Sequence, residues 1–417
     1  MKKILNWSIN SRYFTSPFFI YVWAFLLSLI FYVFGWSFSF PSLSLATILF
    51  LCGSMLVATF LGFFTKNKFQ ATATKIEADL VVNTTFAAIC AFFALEFLYN
   101  GLINNQIFLV PIISIFAKTG YHYQDFTGLF GSHILLVTFS IFYAIYLFHQ
   151  YLSTKKIKLL IFYLTIIALH LSIMSRGQVL WILLGSLFVF LQVKNKIKLK
   201  LVGIIVIAAI VGAFIFGYLG NNRSYGGSRT QLAEDTAVTQ SFKDNIIPYE
   251  YYWSYIYVAS PLANFQHNVD CKNPDVSSQN IACLFKYEIT PAFVAKKLDF
   301  YDLDKCDDYK DLIYPFLNVS TAFASAYSIA NWWGPILLFL SFLAIAIIYL
   351  LILPKNSPYY VTGLSILLYI FLFMPYDNAW IFTGISFQLI YPLVYSLIWR
   401  TKQRKLSRNA GEELSRS

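Results

Sequence analysis

Residues 201–219 read LVGIIVIAAIVGAFIFGYL and contain no charged side chain. An α-helix rises about 1.5 Å per residue, so a stretch of this length crosses the roughly 30 Å apolar core of a bilayer. Similar apolar blocks recur along the chain, and each is a predicted membrane span. The predicted spans cover residues 17–39, 43–64, 81–99, 131–149, 157–174, 178–193, 201–219, 334–353, 359–374 and 380–399.

The composition supports a membrane protein. Of the 417 residues, 58% are hydrophobic and 12% are charged, and the mean hydropathy is +0.62. An average soluble domain has about twice that charged share, so a water-soluble globule is excluded. The sequence predicts an all-α polytopic protein with roughly 10 to 12 transmembrane helices. The net charge of +11 does not indicate nucleic-acid binding, because the basic residues alternate with apolar blocks.

The positions of Lys and Arg predict the orientation. Connections rich in these residues stay in the cytoplasm, and a cytoplasmic N-terminus places most of them on the inner side. Both termini are then cytoplasmic. The predicted organisation is transmembrane helices 1–7 over residues 1–219, one large outer loop over 220–317, C-terminal transmembrane helices over 318–399 and a basic tail over 400–417.

The large outer loop is predicted to fold. Disorder is the alternative for so long a connection, but residues 249–257 alone contain six aromatic side chains, and disordered segments are poor in aromatics. We therefore expect a cap of helices. Cys271, Cys283 and Cys306 lie in this loop, and one disulfide among them stays an open alternative if the loop faces an oxidising compartment.

Three arginines at the predicted outer face favour an anion site. Arg176 lies in a short turn between two apolar spans, and Arg223 and Arg229 flank Gly226-Gly227 after the span 201–219. A guanidinium binds two phosphate oxygens at once and keeps its charge, which suits a diphosphate. The alternatives are an arginine that reaches toward lipid phosphates and a surface turn with solvated arginines.

The aromatic part of the loop is suited to sugars, because aromatic rings cover the apolar faces of sugar rings and an amide hydrogen-bonds their hydroxyls. The predicted sugar-binding residues are Tyr249, Tyr252, Tyr257 and Asn264. An interfacial aromatic belt is the alternative. Glu250 and His267 are the predicted catalytic residues, as proton acceptors, although a single histidine commonly has a structural role.

The ionisable residues near the predicted outer ends of spans include Glu96, His133, His170 and Asp377. Charged groups are costly in lipid, so each is a candidate functional residue. Hydrogen bonding between helices is the alternative for the two histidines. Pairing with Arg176 is a further alternative for the two carboxylates.

With these residues, the chain resembles the Wzy-type polymerases, which join O-antigen or capsule repeat units on undecaprenyl diphosphate. The resemblance covers residues 160–340. It rests on Ser175-Arg176-Gly177 opening a span, the arginine-rich start of the loop, YVASPLANF at 257–265, and Asn318-Val319-Ser320-Thr321. The chain departs from the family pattern at Asn331-Trp332-Trp333-Gly334, where an acidic residue often precedes a glycine pair.

The resemblance implies a metal-independent GT-C-type glycosyltransferase without a cofactor, at the periplasmic face of a bacterial inner (plasma) membrane. The implied donor and acceptor are undecaprenyl-diphosphate-linked oligosaccharides, whose diphosphates are held by Arg176, Arg223 and Arg229. A chain-length regulator protein is compatible with this as a partner. An O-antigen ligase, a flippase or other transporter of lipid-linked oligosaccharides, and a non-catalytic assembly partner stay open as alternatives.

A tag inserted within residues 272–280 tests the predicted orientation. Because this segment belongs to the predicted outer loop, we expect a membrane-impermeant antibody to label the tag in intact spheroplasts. A tag at the C-terminus is the control, and its labelling should require permeabilised membranes. Labelling of the C-terminal tag alone in intact spheroplasts would contradict the orientation.

Overall fold

The computed structural model describes residues 8–69, 76, 82–103, 110–113, 126–129, 131–194, 196–297 and 310–414. Cys306 lies outside these residues. The described chain is mainly α-helical, with two short strands, β1 (Ser8–Asn10) and β2 (Lys196–Lys198). Single turns of 3-10 helix occupy Ser11–Phe14 and Phe387–Leu389, and a π-helical turn occupies Phe285–Ile289.

We number the α-helices of the described residues in chain order. They are α1 (Pro17–Val33), α2 (Leu45–Thr65), α3 (Val82–Ile103), α4 (His133–Thr154), α5 (Ile157–Ser172), α6 (Arg176–Val193), α7 (Leu199–Tyr225), α8 (Gln231–Asp235), α9 (Gln240–Lys243), α10 (Glu250–Cys271), α11 (Ser278–Leu284), α12 (Ala292–Ala295), α13 (Ala322–Ala330), α14 (Trp333–Ile352), α15 (Tyr360–Phe373), α16 (Thr383–Ser386) and α17 (Ile390–Leu414).

Several of these helices are apolar enough to lie in a membrane. Among the described residues, α2, α3, α4, α6, α7 and α14 have the length and hydropathy of membrane-spanning helices, and α1, α5 and α15 are shorter apolar helices. The predicted class, an α-helical membrane protein, therefore agrees with the structure. The tenth predicted block, 380–399, does not coincide with one helix, because α17 begins at Ile390 and continues to Leu414. The number of spans stays a prediction.

The described residues divide into two compact units. The first is drawn from Met1–Lys66, Asn195–Ala346 and Ile370–Phe382, and the second from Asn67–Lys194, Ile347–Tyr369 and Thr383–Ser417. In the first unit α10 packs against α1, α7 and α13. In the second unit α4 packs against α3, α5 and α6, and 72% of its apolar window is buried.

Among the six helices of membrane-spanning length, α7 is the least buried and α4 the most buried. None of the most apolar window of α7 is buried within the protein, and side chains such as Ile204, Ile207 and Ile210 are half exposed. Such a surface would be a liability in water, whereas lipid tails cover it without cost. The contrast with the central helix α4 indicates that α7 faces lipid.

Helix ends in the first unit follow local sequence. Pro17 occupies the first turn of α1, where its missing N–H costs nothing. Ser44 caps α2 by accepting a hydrogen bond from Thr47 N at 3.2 Å. Helix α7 ends at Gly226, whose φ of +56° is a left-handed conformation that glycine adopts without strain.

Two antiparallel pairings tie distant parts of the first unit together. Strand β1 pairs with β2, with Ser8 opposite Lys198. The connection between α1 and α2 pairs with the segment before α9 through an isolated bridge between Ser37 and Val238. Helix α10 also reaches this connection twice, because Trp36 N donates to the Tyr255 hydroxyl at 2.9 Å and Ser44 N donates to Gln266 Oε1 at 3.0 Å.

Helix α7 and the start of α10 approach each other at backbone distance. A Cβ at Gly217 would lie 1.8 Å from the backbone carbonyl oxygen of Glu250, and one at Gly220 would lie 2.7 Å from the Trp253 ring. The carbonyl belongs to backbone and cannot rotate away as a side chain would. The missing side chain at Gly217 therefore allows α10 to lie directly on α7.

Replacing Gly217 by Ala is expected to destabilise the protein. The added methyl group forces the two backbones apart, which costs about 1–3 kcal/mol of unfolding free energy. Gly212→Ala is the matched control, because the same helix has nothing within 4 Å of a Cβ at that position. Unfolding in detergent, followed by circular dichroism, measures both variants. Equal stabilities would show that the close approach does not constrain the fold.

Candidate functional site

Arg223 and Arg229 lie on either side of the turn that ends α7. Gly226 and Gly227 have φ values of +56° and +92°. Gly227 N donates to the carbonyl oxygen of Asn221 at 3.1 Å, so the chain reverses around the helix end. Arg223 belongs to the last turn of α7, and its side chain is exposed. The structure therefore presents two cationic side chains from one compact turn.

Arg229 is held by Glu250. Its Nε lies 3.0 Å from Glu250 Oε1, and the two side chains are 68% and 2% exposed. This contact is not a hydrogen bond, because the Nε–H bond of Arg229 is not directed at Glu250 Oε1. The contact is thus an ion pair, with the carboxylate at the first turn of α10, where the helix dipole favours negative charge. Most of the guanidinium stays open to a ligand.

The two predicted proton acceptors, Glu250 and His267, are far apart. They belong to the same helix, α10, and their separation in sequence corresponds to about 25 Å at 1.5 Å per residue. They cannot act on one reacting atom. Glu250 is the counter-ion of Arg229, and its role as a proton acceptor stays a prediction.

His267 lies at the far end of α10, where it is half buried. Its Nδ1 is 3.5 Å from Cys271 Sγ. Cys271 is a free thiol, whereas Cys283 takes part in a disulfide. Among the described residues, no three His, Cys, Asp or Glu side chains gather as they would around a metal ion.

The predicted sugar-binding tyrosines occupy three different environments. Tyr252 is 1% exposed, and its hydroxyl lies 2.9 Å from Thr236 Oγ1. Tyr249 packs edge-on against Phe242. Tyr257 is 38% exposed and stacks on Trp253. Tyr257 is the most exposed of the three, although its ring also packs against Phe216. Sugar binding by these tyrosines stays a prediction.

Asn264 is buried, and its amide is fully used within the protein. Its Nδ2 donates to the carbonyl oxygens of Leu317 and Val319, both at 2.8 Å, and its Oδ1 accepts from Ile313 N at 3.0 Å. Asn268, one turn further along α10, bonds both backbone groups of Asp311. These two amides hold the segment before α13 against α10. Sugar binding by Asn264 stays a prediction, and its contacts describe a structural role.

The second unit contains Arg176, which is the first residue of α6 and is exposed. In the same unit, buried Glu96 pairs with His133 Nδ1 at 2.8 Å, so its described partner is this histidine and not Arg176. His170 Nε2 lies 2.9 Å from Ser140 Oγ. The hydrogen-bonding alternative for both histidines is thus present in the structure.

The element in which the chain departs from the Wzy-type pattern forms a tight turn between α13 and α14. Asn331 has a φ of +49°, which ends α13. A Cβ at Gly334 would lie 1.8 Å from the backbone oxygen of Ala326, so α14 packs closely on α13 there. Asn331 Nδ2 also donates to Asn273 Oδ1 at 3.0 Å. The departure from the pattern coincides with a structural role.

A second polar cluster in the first unit contains Glu288, which the sequence did not single out. Glu288 lies on the π-helical turn and is 7% exposed. Asn378 Nδ2 donates to its carbonyl oxygen at 2.7 Å and to its Oε2 at 3.0 Å. Asp377 precedes this asparagine. The partners are 90 residues apart in sequence, so no local motif announces the cluster, although π-helical turns are frequent at functional sites.

The environment of Glu288 favours its neutral form. Burial raises the pKa of Glu288 to about 7, and the charge of Asp377 also raises it. The Asn378 hydrogen bond, the Lys310 charge and the Ser325 hydroxyl oppose this effect on the pKa. Burial raises the pKa of Asp377 as well, with Lys310 opposing. The cluster therefore contains a carboxyl group able to exchange a proton near neutral pH.

No family model, no curated protein and no solved structure matches the chain. The function is therefore inferred from the side chains and their geometry.

Arg229→Ala is expected to lower stability, because it leaves the buried Glu250 carboxylate without its counter-ion. We expect a loss of about 1–3 kcal/mol in unfolding free energy. Arg223→Ala is the control, since Arg223 has no ion-pair partner among the described residues. The double variant Arg229→Ala with Glu250→Gln should recover part of the loss. Detergent unfolding measures all three, and equal stability of the two single variants would refute the ion pair's contribution.

Proposed function

We propose that the protein polymerises undecaprenyl-diphosphate-linked oligosaccharide repeat units, of O-antigen or capsule, at the periplasmic face of a bacterial inner membrane. The observation that carries the proposal is the pair of exposed guanidinium groups around the Gly226-Gly227 turn, one of them fixed by the buried carboxylate of Glu250. The GT-C-like architecture, ten spans and cytoplasmic termini belong to the same proposal.

The position of the turn fits a lipid-borne anion. Helix α7 has 27 residues, which corresponds to about 40 Å and exceeds the roughly 30 Å apolar core of a bilayer. Its lipid-facing middle is uncharged, and its last turns carry Asn221, Asn222 and Arg223. These polar turns would emerge at the depth of the headgroups, where the diphosphate of a polyprenol carrier lies.

The proposed reaction transfers one glycan to another. A hydroxyl oxygen of the acceptor attacks the anomeric carbon of the donor, and the bond from that carbon to the diphosphate oxygen breaks. The leaving lipid diphosphate takes the electron pair, and a protein group takes the hydroxyl proton. Arg223 and Arg229 would hold the diphosphate of one substrate, since a guanidinium binds two phosphate oxygens at once and keeps its charge. Arg176, in the second unit, stays a predicted diphosphate ligand, and a fixed cation beside the leaving diphosphate would stabilise the charge that develops on it.

An O-antigen ligase is the nearest alternative, because the same guanidinium groups suit its lipid diphosphate. Deletion separates the two functions: loss of a polymerase leaves lipid A core with one repeat unit, whereas loss of a ligase leaves core without any. A transporter is favoured by one observation, the buried Glu96–His133 pair on helices of membrane-spanning length. Accumulation of lipid-linked units in the cytoplasmic leaflet upon deletion would support transport.

Reconstitution of the purified protein with a lipid-linked repeat unit tests the proposal directly. We expect polymer with the wild type and at least 10-fold less with Arg223→Ala or Arg229→Ala, because each loses a bidentate phosphate contact. Arg223→Lys should restore only part of the activity, since an ammonium group lacks the planar fork. Polymer length on a gel and the rate of diphosphate release are the measurements.

Lys243→Ala is the matched control, an exposed cation of the same loop that lies on α9. It should retain wild-type activity. Wild-type polymer from all the arginine variants, compared at equal amounts of folded protein, would reject the role of the arginines. The absence of polymer from the folded wild type would reject the polymerase itself.

A further inference from the structure

Glu288 is a buried carboxyl group without a role in the reaction proposed above. Asn378 directs its amide nitrogen at this carboxylate, and Asn378 is itself 2% exposed. The oxygen of the same amide is buried and has no hydrogen-bond partner among the described residues. A buried acceptor of this kind is nearly always satisfied by a donor. The amide oxygen of Asn378 is therefore an acceptor that a hydroxyl group can satisfy.

The turn after α15 holds the segment around Glu288 in place. Trp380 Nε1 donates to the carbonyl oxygen of Ile289 at 2.6 Å, and Ala292 N donates to that of Ile381 at 2.9 Å. Together with the two bonds from Asn378, these contacts join the turn after α15 to the π-helical turn. Groups held in this way need little reorganisation when they react, which favours a chemical role.

The cluster lies far along α10 from the arginines. Thr321 N contacts the Pro261 carbonyl oxygen, and Ser328 Oγ donates to Asn268 Oδ1, so α13 runs beside this part of α10. The Ser325 hydroxyl, between them, is close enough to Glu288 to lower the pKa of that carboxyl group. The corresponding level of α10 is some fourteen residues beyond Glu250, which is roughly 20 Å of helix. This distance is the length of several sugar rings.

We propose that Glu288 and Asn378 bind hydroxyl groups of the acceptor sugar and that Glu288 takes the proton of the attacking hydroxyl. This inference rests on the proposed polymerase function. The hydroxyl oxygen forms the bond to the donor's anomeric carbon, its proton passes to the Glu288 carboxylate, and the leaving diphosphate takes the electron pair from the broken bond. The neutral carboxyl then returns the proton to water.

The roughly 20 Å between the arginines and Glu288 assigns Arg223 and Arg229 to the acceptor substrate. Each substrate carries a diphosphate at one end of its glycan, and only the donor's diphosphate leaves. The attacking hydroxyl of the acceptor lies on a sugar away from its own diphosphate. A glycan that extends along α10 would therefore place its diphosphate at Arg223 and Arg229 and its attacking hydroxyl at Glu288.

The groups that face Glu288 define its pH dependence. They are Asp377 and Asn378 from the turn after α15, Lys310 from the segment before α13, and Ser325 from α13. Because the pKa of Glu288 is raised in the folded protein, the native state holds a proton that the unfolded chain releases between its ordinary pKa and about 7. Stability from this group is thus present at low pH and lost as the pH rises through that range.

Two measurements on purified protein test the inference. The first follows the infrared band of protonated carboxyl groups from about pH 5 to pH 8 in wild type and Glu288→Gln. We expect a component that titrates near neutral pH in the wild type and is absent from the variant. The second is the pH profile of polymerisation, which should fall in acid for the wild type. Glu288→Gln should lower kcat by 100-fold or more and flatten this profile.

Control variants separate the roles. Glu234→Gln, an exposed carboxyl group of the same loop, should keep both the wild-type rate and the wild-type profile. Arg223→Ala should raise the KM for the lipid-linked acceptor without moving the profile. If the infrared band is unchanged by Glu288→Gln, or if that variant polymerises with the wild-type rate and profile, the inference is overturned while the polymerase stands. If the wild type forms no polymer, the proposed function fails and this role fails with it.

Discussion

The direct contact of the α10 backbone with α7 at Gly217 is the constraint on which the first unit depends. Because α7 has no side chain at that point, α10 can lie against it at backbone distance, and the axis of α10 is then fixed. Several polar contacts of the unit start from α10. Glu250 at its start holds Arg229, and Asn264 and Asn268 near its end hold the segment that leads into α13.

The polar groups of the first unit differ in how far they are removed from water. The two arginines stay largely exposed, where a guanidinium keeps most of its hydration and can still bind an anion. Glu288 is buried, which favours its neutral form and makes it responsive to a neighbouring proton donor. The exposed guanidinium groups can bind an anion, whereas the buried carboxyl group can exchange a proton. In the proposed reaction, both act on one extended ligand that runs beside α10.

The class of the protein could be predicted from composition, because uncharged apolar blocks of about 20 residues are typical of membrane spans. The bounds of the helices were less predictable. The first block was predicted to run to residue 39, yet α1 ends at Val33, because the following residues pair with the segment around Val238. Helix α17 extends to Leu414 through the basic tail, since Lys and Arg are good helix formers and hydropathy does not register them.

The candidate site was predicted in part. Arg223, Arg229 and Glu250 were recognisable as charges beside an apolar span, but the pairing between Arg229 and Glu250 is a tertiary contact. The 25 Å that separates Glu250 from His267 follows from their sharing one helix, and the sequence had offered them as alternatives for the same task. Glu288 was missed because its partners, Asp377 and Asn378, come from a distant turn.

The two strand pairings of the first unit also impose a parity rule on the chain. Hydrogen-bonded backbones must share one side of a bilayer, so Ser8–Asn10 and Lys196–Lys198 are on the same side, and Ser37 and Val238 are likewise together. The polypeptide must then traverse the membrane an even number of times between the members of each pair. If α1 and α7 each traverse it once, the two pairings lie on opposite surfaces, and backbone bonds alone define the two compartments.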